Sequence, residues 1–497
     1  MALLIKNSAI MTLDDQDTII QGGDLVLEGG RISAIGKNLP LEGYTIDRVI
    51  DATDKLVMPG LANSHLHSHD RFDKGRFDNL PLEVWMALYR PPFGGRQWTP
   101  REIYLRTMLD AIELLQSGTT LVIDDVNHGP PLDLEHIDPV YQAYQDAGIR
   151  AVVTVTTMDR PYYSTMPYLE ELLPSPMKDE LDRQPRPSAE ALLDLARHTA
   201  EKWQGRVQCA FSPSAVQRCT DPFLTRLWDL SEEKNLPIFC HVLETKVQAA
   251  TGHLFYGKTL VEHMRDLRLL TPNTTLIHTI WVTDRDIELM AEGHVSMVHN
   301  PLSNLKLGSG IAPIRKFLNA GVNVALGTDN NNANDAANLF EAMKFAALIH
   351  KVGHPRYEEW IGANEVLKMA TSGGARCALL QNEVGSLEVG KRADMILLDL
   401  KKLPFIPLNN PKHQAVFCEH GDSIETVIVD GNVAIEGGRF LTINVDEILA
   451  EAREVGERVM RDNERALIRG KELEPYVREA YYRCVSQDVG VNAYTGR

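Results

Sequence analysis

The chain has 497 residues, more than one ordinary domain holds and enough to bury a large core. Its 68 acidic side chains against 51 basic ones leave a formal charge of −17. Such a surface excludes phosphate-backbone binding as the main task, because nucleic-acid binders present a basic footprint. No apolar run approaches the roughly 20 residues that cross a bilayer, so no membrane partner is expected. The opening Met1-Ala-Leu-Leu-Ile-Lys-Asn reads as a strand without the basic start or cleavage site of a signal peptide. Cys209, Cys219, Cys240, Cys377, Cys418 and Cys484 form no Cys-x-x-Cys pair, which predicts reduced thiols in a cytoplasmic protein.

Residues 1–57 carry short apolar runs, and Leu25 to Ile35 read as a hairpin turning at Gly29-Gly30. From 58 to 383 short apolar segments alternate with amphipathic helical stretches, the rhythm of β-α units. Strands are predicted at Gly60–His65, Thr119–Asp124, Arg150–Val155, Val207–Phe211, Pro237–His241, Thr275–His278, Val295–His299 and Val322–Asp329. Eight such strands close a (β/α)8 TIM barrel; an open doubly wound sheet lacks support, since no Gly-x-Gly-x-x-Gly follows any of them. A Pro-rich stretch between Met158 and Glu190 follows the third strand and is expected to overhang the barrel's C-terminal mouth. From 384 to 445 the hairpin texture returns, with a turn at Asp430-Gly431, so both chain ends are expected to build one small β-sandwich domain. Residues 446–497 read as a charged helical tail.

Histidine placement points to chemistry. In the extended segment His65-Leu66-His67, alternate side chains face the same way, so two imidazoles can meet one ion. His241, His278 and Asp329 end the fifth, sixth and eighth strands. Ligand-type side chains thus arrive at one barrel rim, where catalytic groups of this fold collect. His294 and His350, isolated from this set, read as packed core histidines, and Asp124 and Asp125 as hydrogen-bonding scaffold.

The chain resembles the amidohydrolase superfamily, in its mononuclear branch of cytosine/adenosine deaminase-like and triazine hydrolase-like enzymes. The resemblance rests on Pro59-Gly-Leu-Ala-Asn-Ser-His-Leu-His, Leu80-Pro-Leu-Glu-Val-Trp, Ser117-Gly-Thr-Thr and Cys240-His-Val-Leu-Glu-Thr. It continues through His299-Asn-Pro-Leu-Ser-Asn-Leu-Lys, Ala325-Leu-Gly-Thr-Asp and Gly385-Ser-Leu-Glu-Val-Gly-Lys-Arg-Ala-Asp. It implies that His65, His67, His241 and Asp329 bind one divalent metal ion, zinc first, with iron or manganese also suited to such a set. Asp329 would take a proton from the attacking water, His278 would orient that water, and Glu244 would act as general acid–base toward the ring nitrogen and leaving amine. The fourth strand has no lysine of the kind two-metal members carry, which favours a single ion.

Nucleoside-directed relatives usually carry His-Ala-Pro-Tyr after the fourth strand, where this chain reads Ser212-Pro-Ser-Ala-Val-Gln-Arg-Cys. His69, Gln217, Arg218 and His299 are candidate substrate contacts, His299 weighed against a structural role. The polar Ser68-His-Asp-Arg-Phe-Asp-Lys-Gly and Asn330-Asn-Asn-Ala-Asn-Asp depart from the family pattern and favour a small, polar substrate. The reading is a hydrolytic deaminase of a nitrogen heterocycle or guanidine-like group, working as a homo-oligomer (dimer or tetramer). Its rivals are a cyclic amidohydrolase of dihydroorotase or hydantoinase type and a silent barrel subunit. A His-x-Glu…Cys-x-x-Cys deaminase is excluded, because no histidine has glutamate two residues on.

Overall fold

Every one of the eight predicted middle segments forms a strand, and the helices between them begin and end on readable signals. Thr99 and Glu102 close a capping box on helix Pro100–Gln116. Asp133 caps helix Leu134–Ala147, which ends at Gly148 in the left-handed region. The structure is a computed structural model that describes residues 2–94, 96–127, 132–352 and 355–494.

Five strands open the chain: β1 (Ala2–Met11), β2 (Ile19–Glu28), β3 (Arg31–Gly36), β4 (Ile46–Asp51) and β5 (Lys55–Pro59). The barrel strands are β6 (Leu61–His67), β7 (Thr119–Val126), β8 (Arg150–Thr157), β9 (Val207–Pro213), β10 (Ile238–Val242), β11 (Thr274–His278), β12 (Ser296–His299) and β13 (Asn323–Leu326). A two-residue strand, β14 (Asp329–Asn330), comes next, and β15 (Met395–Asp399), β16 (Ile424–Val429), β17 (Asn432–Glu436) and β18 (Arg439–Phe440) complete the set.

Strands β6 to β13 pair in sequence order, and β14, the continuation of β13, pairs in parallel with β6. The eighth strand is therefore split, and its second half closes the barrel. Gly327 sits at the split because a Cβ there would lie 2.3 Å from Asn300 Oδ1 and 2.8 Å from His65 Cβ. The interior is filled by Ala62, Leu121, Ile123, Val152, Phe239 and their neighbours, over a plug of Ala375, Cys377 and Ala378. A second, larger core fills the space between strands and helices.

The two chain ends meet in one sheet, ordered β18-β17-β16-β15-β5-β1-β2-β3, with β4 also paired to β1. The junction is the antiparallel pairing of β5 with β15, from Lys55 opposite Asp399 to Pro59 opposite Met395. Ile5, Leu25, Val57, Met395 and Ile428 form its apolar core. Arg150, at the start of β8, reaches Asp394 at 2.7 and 3.0 Å and ties this sheet to the barrel. The tail is one helix, Val445–Val485, and no helix among the described residues is long and apolar enough to cross a membrane. Five of the six thiols are buried and none is in a disulfide.

Candidate active site

Strand β6 delivers two histidines to the barrel axis through a slip in its register. Leu61 and Leu66 both face the helix layer, whereas Ala62 faces the interior. Two outward residues five apart break the two-residue alternation, and the pairing with β7 shifts between Asn63 and Leu66. Such a bulge re-aims the side chains beyond it, so His65 and His67 both turn inward. His241 reaches the same side by ordinary alternation from the inward-facing Phe239. His278 succeeds the inward Ile277 and would point outward on a regular strand, but its φ of 74° swings it into the mouth. Asp329 stands at φ 64°. A non-glycine residue held in this region costs about 1–3 kcal/mol and tends to mark a functional site.

These side chains converge. Asp329 Oδ1 lies 3.3 Å from His65 Nε2 and 3.5 Å from His67 Nε2, and the Nε2 atoms of His67 and His241 are 3.4 Å apart. The other ring nitrogens are anchored behind: His67 Nδ1 donates to the Asp125 carbonyl, and His241 Nδ1 to the Ser214 carbonyl at 2.7 Å. With each Nδ1 bonded, each Nε2 presents a lone pair to the centre, the tautomer a metal ligand needs. His65 is buried, and neither of its ring nitrogens has a hydrogen bond. Buried polar atoms are rarely left so, and a cation at the centre would satisfy this ring. Asp125 braces the set from below, accepting from Thr154 and Thr156 at 2.7 Å each and from Ser212 at 2.9 Å.

Beside this cluster, His278 Nε2 lies 3.6 Å from Glu244 Oε2 and 3.8 Å from Asp329 Oδ2. Asn304 Oδ1 accepts from His278 Nδ1 at 2.9 Å, which leaves Nε2 as an acceptor. Ser303 Oγ donates to Asp329 Oδ2 at 2.6 Å. Burial, reinforced by the Asp329 charge, pushes Glu244 well above the usual carboxylate range and so favours its protonated form. Asp329 is moved the other way: burial alone would raise it, but His65 and the other facing imidazoles hold it well below the ordinary value. Burial lowers His241 and His278, the latter to about 4, whereas Asp125 and Asp329 overcome burial and raise His67.

The remaining candidates divide. Gln217 is buried on the short turn after β9 with Oε1 unpartnered. Arg218 donates to Ser214 Oγ at 2.9 Å and reaches Met86 Sδ at 3.0 Å. His69 lies beyond the end of β6, in the 3-10 turn Ser68–Asp73, where its Nδ1 accepts from the Asn127 backbone at 3.1 Å. His299 faces away from the axis: Val298 points into the interior, and His299 Nε2 meets His350 Nε2 at 3.1 Å in the helix layer. It is packed there rather than turned toward a substrate. His294 is exposed, not buried, since it occupies the left-handed turn before β12.

The two polar departures also find partners within the chain. The Asp70 carboxylate, pushed by burial up to about 7, accepts from Asn330 Nδ2 at 3.0 Å and from the backbones of Asn331 and Asn332 at 3.1 and 3.3 Å. Arg71 binds Asp110 and Asn331 at 3.1 Å each. The loops after the first and eighth strands are thus latched to each other, and Asp70, Arg71, Asn330 and Asn331 face protein.

Ser303, Asn304 and Glu83 carry no role on sequence alone, although each lies in a segment that carries the resemblance. Glu83 opens helix Leu82–Tyr89, which crosses the mouth; Thr245, next to Glu244, donates to its Oε1 at 2.6 Å, and its Oε2 has no partner.

Comparison with known proteins agrees with this fold. The amidohydrolase family matches residues 56–434. A 5'-deoxyadenosine deaminase of Methanosarcina acetivorans is 33% identical over 464 residues, covering 92% of this chain and 98% of its own. A 5-methylthioadenosine/S-adenosylhomocysteine deaminase of Caldanaerobacter subterraneus subsp. tengcongensis is 34% identical over 461 residues, 93% of this chain and 99% of its own. Among solved structures, an adenosine deaminase from Xanthomonas campestris with bound zinc has a TM-score of 0.82 at 26% identity, over 92% of this chain and 98% of that one. A triazine hydrolase from Arthrobacter aurescens shares the fold at TM-score 0.83 and 23% identity, over 92% and 99% of the two chains.

Proposed function

The chain belongs to the amidohydrolase family, and from that premise we propose that it hydrolytically deaminates a nitrogen heterocycle with the help of one divalent ion, zinc in this reading. The observation that carries the proposal is a pair of overlapping groups, His65 with His67 and Asp329 and His65 with His241 and His278, each with its ligand atoms within 4.8 Å of one another, and the Nδ1 atoms of His67 and His241 bonded behind. The donor set suits zinc, which takes imidazole nitrogen and carboxylate oxygen and keeps a position open in catalytic sites. When bound, such an ion supplies a nucleophile at neutral pH by lowering the pKa of water from about 16 to about 7.

The protein's own groups perform the proton transfers. Asp329, ionised at neutral pH, accepts a proton from the attacking water while Ser303 holds its Oδ2. His278 accepts a hydrogen bond from that water at Nε2, because Asn304 holds the Nδ1 proton. Glu244, whose protonated form burial favours, donates to the ring nitrogen next to the attacked carbon and then assists the leaving amine. A carbon–oxygen bond forms and the exocyclic carbon–nitrogen bond breaks. One water proton ends on the departing ammonia and the other on the product ring.

For the substrate, Ser214-Ala-Val-Gln after β9 supports a small polar ring without a ribose. The names of the relatives favour a second reading, an adenosine derivative. Ammonia release from a panel of aminated pyrimidines, purines, triazines and guanidino compounds tests both, with metal analysis of the purified protein. Turnover of an aminated ring, lost in Asp329→Ala and Glu244→Gln, is the expected result; equal turnover by wild type and Asp329→Ala would overturn the mechanism.

A further inference from the structure

Helix Leu82–Tyr89 is a wall of the mouth, and something must hold it there. On its inner side Glu83 meets Thr245, Met86 meets Arg218, and Leu82, Trp85 and Tyr89 pack on Leu307 and Ala333. Its outer side is covered by the tail helix. Gly470 of that helix is buried against the backbone of Ala87 and Leu88, where a Cβ would stand 2.6 Å from the Ala87 carbonyl oxygen. Leu473, Val477, Ala480 and Cys484 continue it as one fully buried stripe. Polar contacts spread the grip over neighbouring elements: Asn463 to Asp73 at 2.7 Å, Arg469 to Glu180 at 2.7 Å and Arg483 to Glu171 at 2.6 Å.

Beyond the helix the chain turns across the rim. Lys246, two residues after Glu244, donates to the Val485 carbonyl at 2.7 Å. Ile311 donates to the Ala493 carbonyl at 2.9 Å, and Tyr494 meets Trp281 edge to face at 4.8 Å between ring centres. Loops after β10, β11 and β12 are therefore tied to this segment between the helix end at Val485 and Tyr494. Tyr494 stays 40% exposed there, and burial raises its phenol. All of this segment lies outside residues 56–434, the part matched to the family.

We propose that residues 445–494 are a strap that seats helix 82–89 over the mouth through Gly470 and walls the rim with Tyr494, so that this segment limits the size of the substrate. The size limit rests on the deaminase reading; the seating does not. The reacting ring lies by the His–Asp cluster, and the strap meets whatever extends from that ring toward Glu83. Substituents such as a sugar then have to pass Tyr494.

The test uses full-length Gly470→Ala and Tyr494→Ala with two readouts. Hydrogen exchange of the 82–89 peptide is expected to accelerate about tenfold or more in Gly470→Ala, with the β7 and β8 peptides unchanged. Tyr494→Ala is expected to loosen the 486–494 peptide, and Tyr494→Phe, which keeps the ring, to restore its exchange rate. Ammonia release is then compared for pairs sharing a reacting ring, adenine with 5'-deoxyadenosine and cytosine with cytidine. Tyr494→Ala should raise kcat/KM of the nucleoside relative to the base about tenfold. Unchanged exchange in both alanine variants overturns the seating, and an unchanged ratio overturns the size limit. A wild type that releases ammonia from no compound overturns the deaminase reading and with it the size limit, while exchange still decides the seating.

Discussion

His65, His67, His241 and His278 face the barrel axis around the Asp329 carboxylate, whereas His299, at the same rim, faces the helix layer and closes on His350. Both groups bring ring nitrogens within about 3.5 Å of one another away from open solvent, although His350 caps helix Leu339–Ile349 rather than ending a strand. What separates them is the supporting charge. The inner group has Asp329 at its centre, Asp125 beneath it and backbone carbonyls on two Nδ1 atoms, so it can gather positive charge. In the outer pair, burial and then each other or Arg315 hold both rings neutral, and His299 Nδ1 is left without a partner. Burial of histidine is thus no guide to function; the carboxylate that faces it is.

The sharpest way to break this contrast is to remove the carboxylate. Asp329→Ala is expected to lose about 10⁴-fold in kcat/KM, together with the metal found in wild-type protein by elemental analysis. His299→Gln, at the same rim, is expected to keep the wild-type metal content. A retained ion in Asp329→Ala, or a lost one in His299→Gln, would erase the distinction. Next in size comes Glu244→Gln, with a loss of about 10²–10³-fold in kcat and an unchanged metal content, because Glu244 touches His278 rather than the His67–His241 pair.

Much of this was legible in the sequence. Eight strand positions and the sharing of one sheet by both ends come from apolar periodicity and turn residues. The inward direction of His65 and His67 agrees with their spacing, but only because the bulge between Asn63 and Leu66 restores it; from Ala62 onward a regular strand would have sent both outward. The place of His278 at the end of the sixth strand is legible, but its aim depends on a left-handed backbone that no residue type signals. His69 lies past the end of the strand yet keeps its ring 5.2 Å from that of His67, and His299 takes the structural place weighed for it, because alternation along a segment does not say where the strand stops or which face is the interior. The polar runs at Ser68 and Asn330 looked like substrate recognition because each was read alone; their pairing across 260 residues is a tertiary fact.

That latch gives the third prediction. Asp70 holds three donors from Asn330, Asn331 and Asn332, just after the strained Asp329. Asp70→Ala would leave these buried donors without an acceptor, at a cost of about 2–3 kcal/mol in unfolding free energy measured by urea denaturation. The inner cluster should then bind metal more weakly, with a free-ion concentration for half-loading raised several-fold in a chelator titration. An unchanged half-loading point would mean that Asp329 keeps its pose without the latch.

The smallest effect belongs to the outer pair and is read in pH. His350 titrates near 4 when folded, against 6.5 in the unfolded chain, because burial and then Arg315 disfavour its charged form. Between those values the unfolded chain takes up a proton that the folded one refuses. Stability from this group is therefore full above pH 6.5 and falls as the pH drops toward 4, by about 2 kcal/mol at pH 5. His350→Gln removes that term, so unfolding free energies of wild type and variant should diverge between pH 7 and pH 5, the variant losing less. Parallel curves would show that the pair is charged, or open to water, at pH 5. His350 would then resemble His67, which Asp125 and Asp329 help to hold a proton, more than the neutral packed ring its position implies.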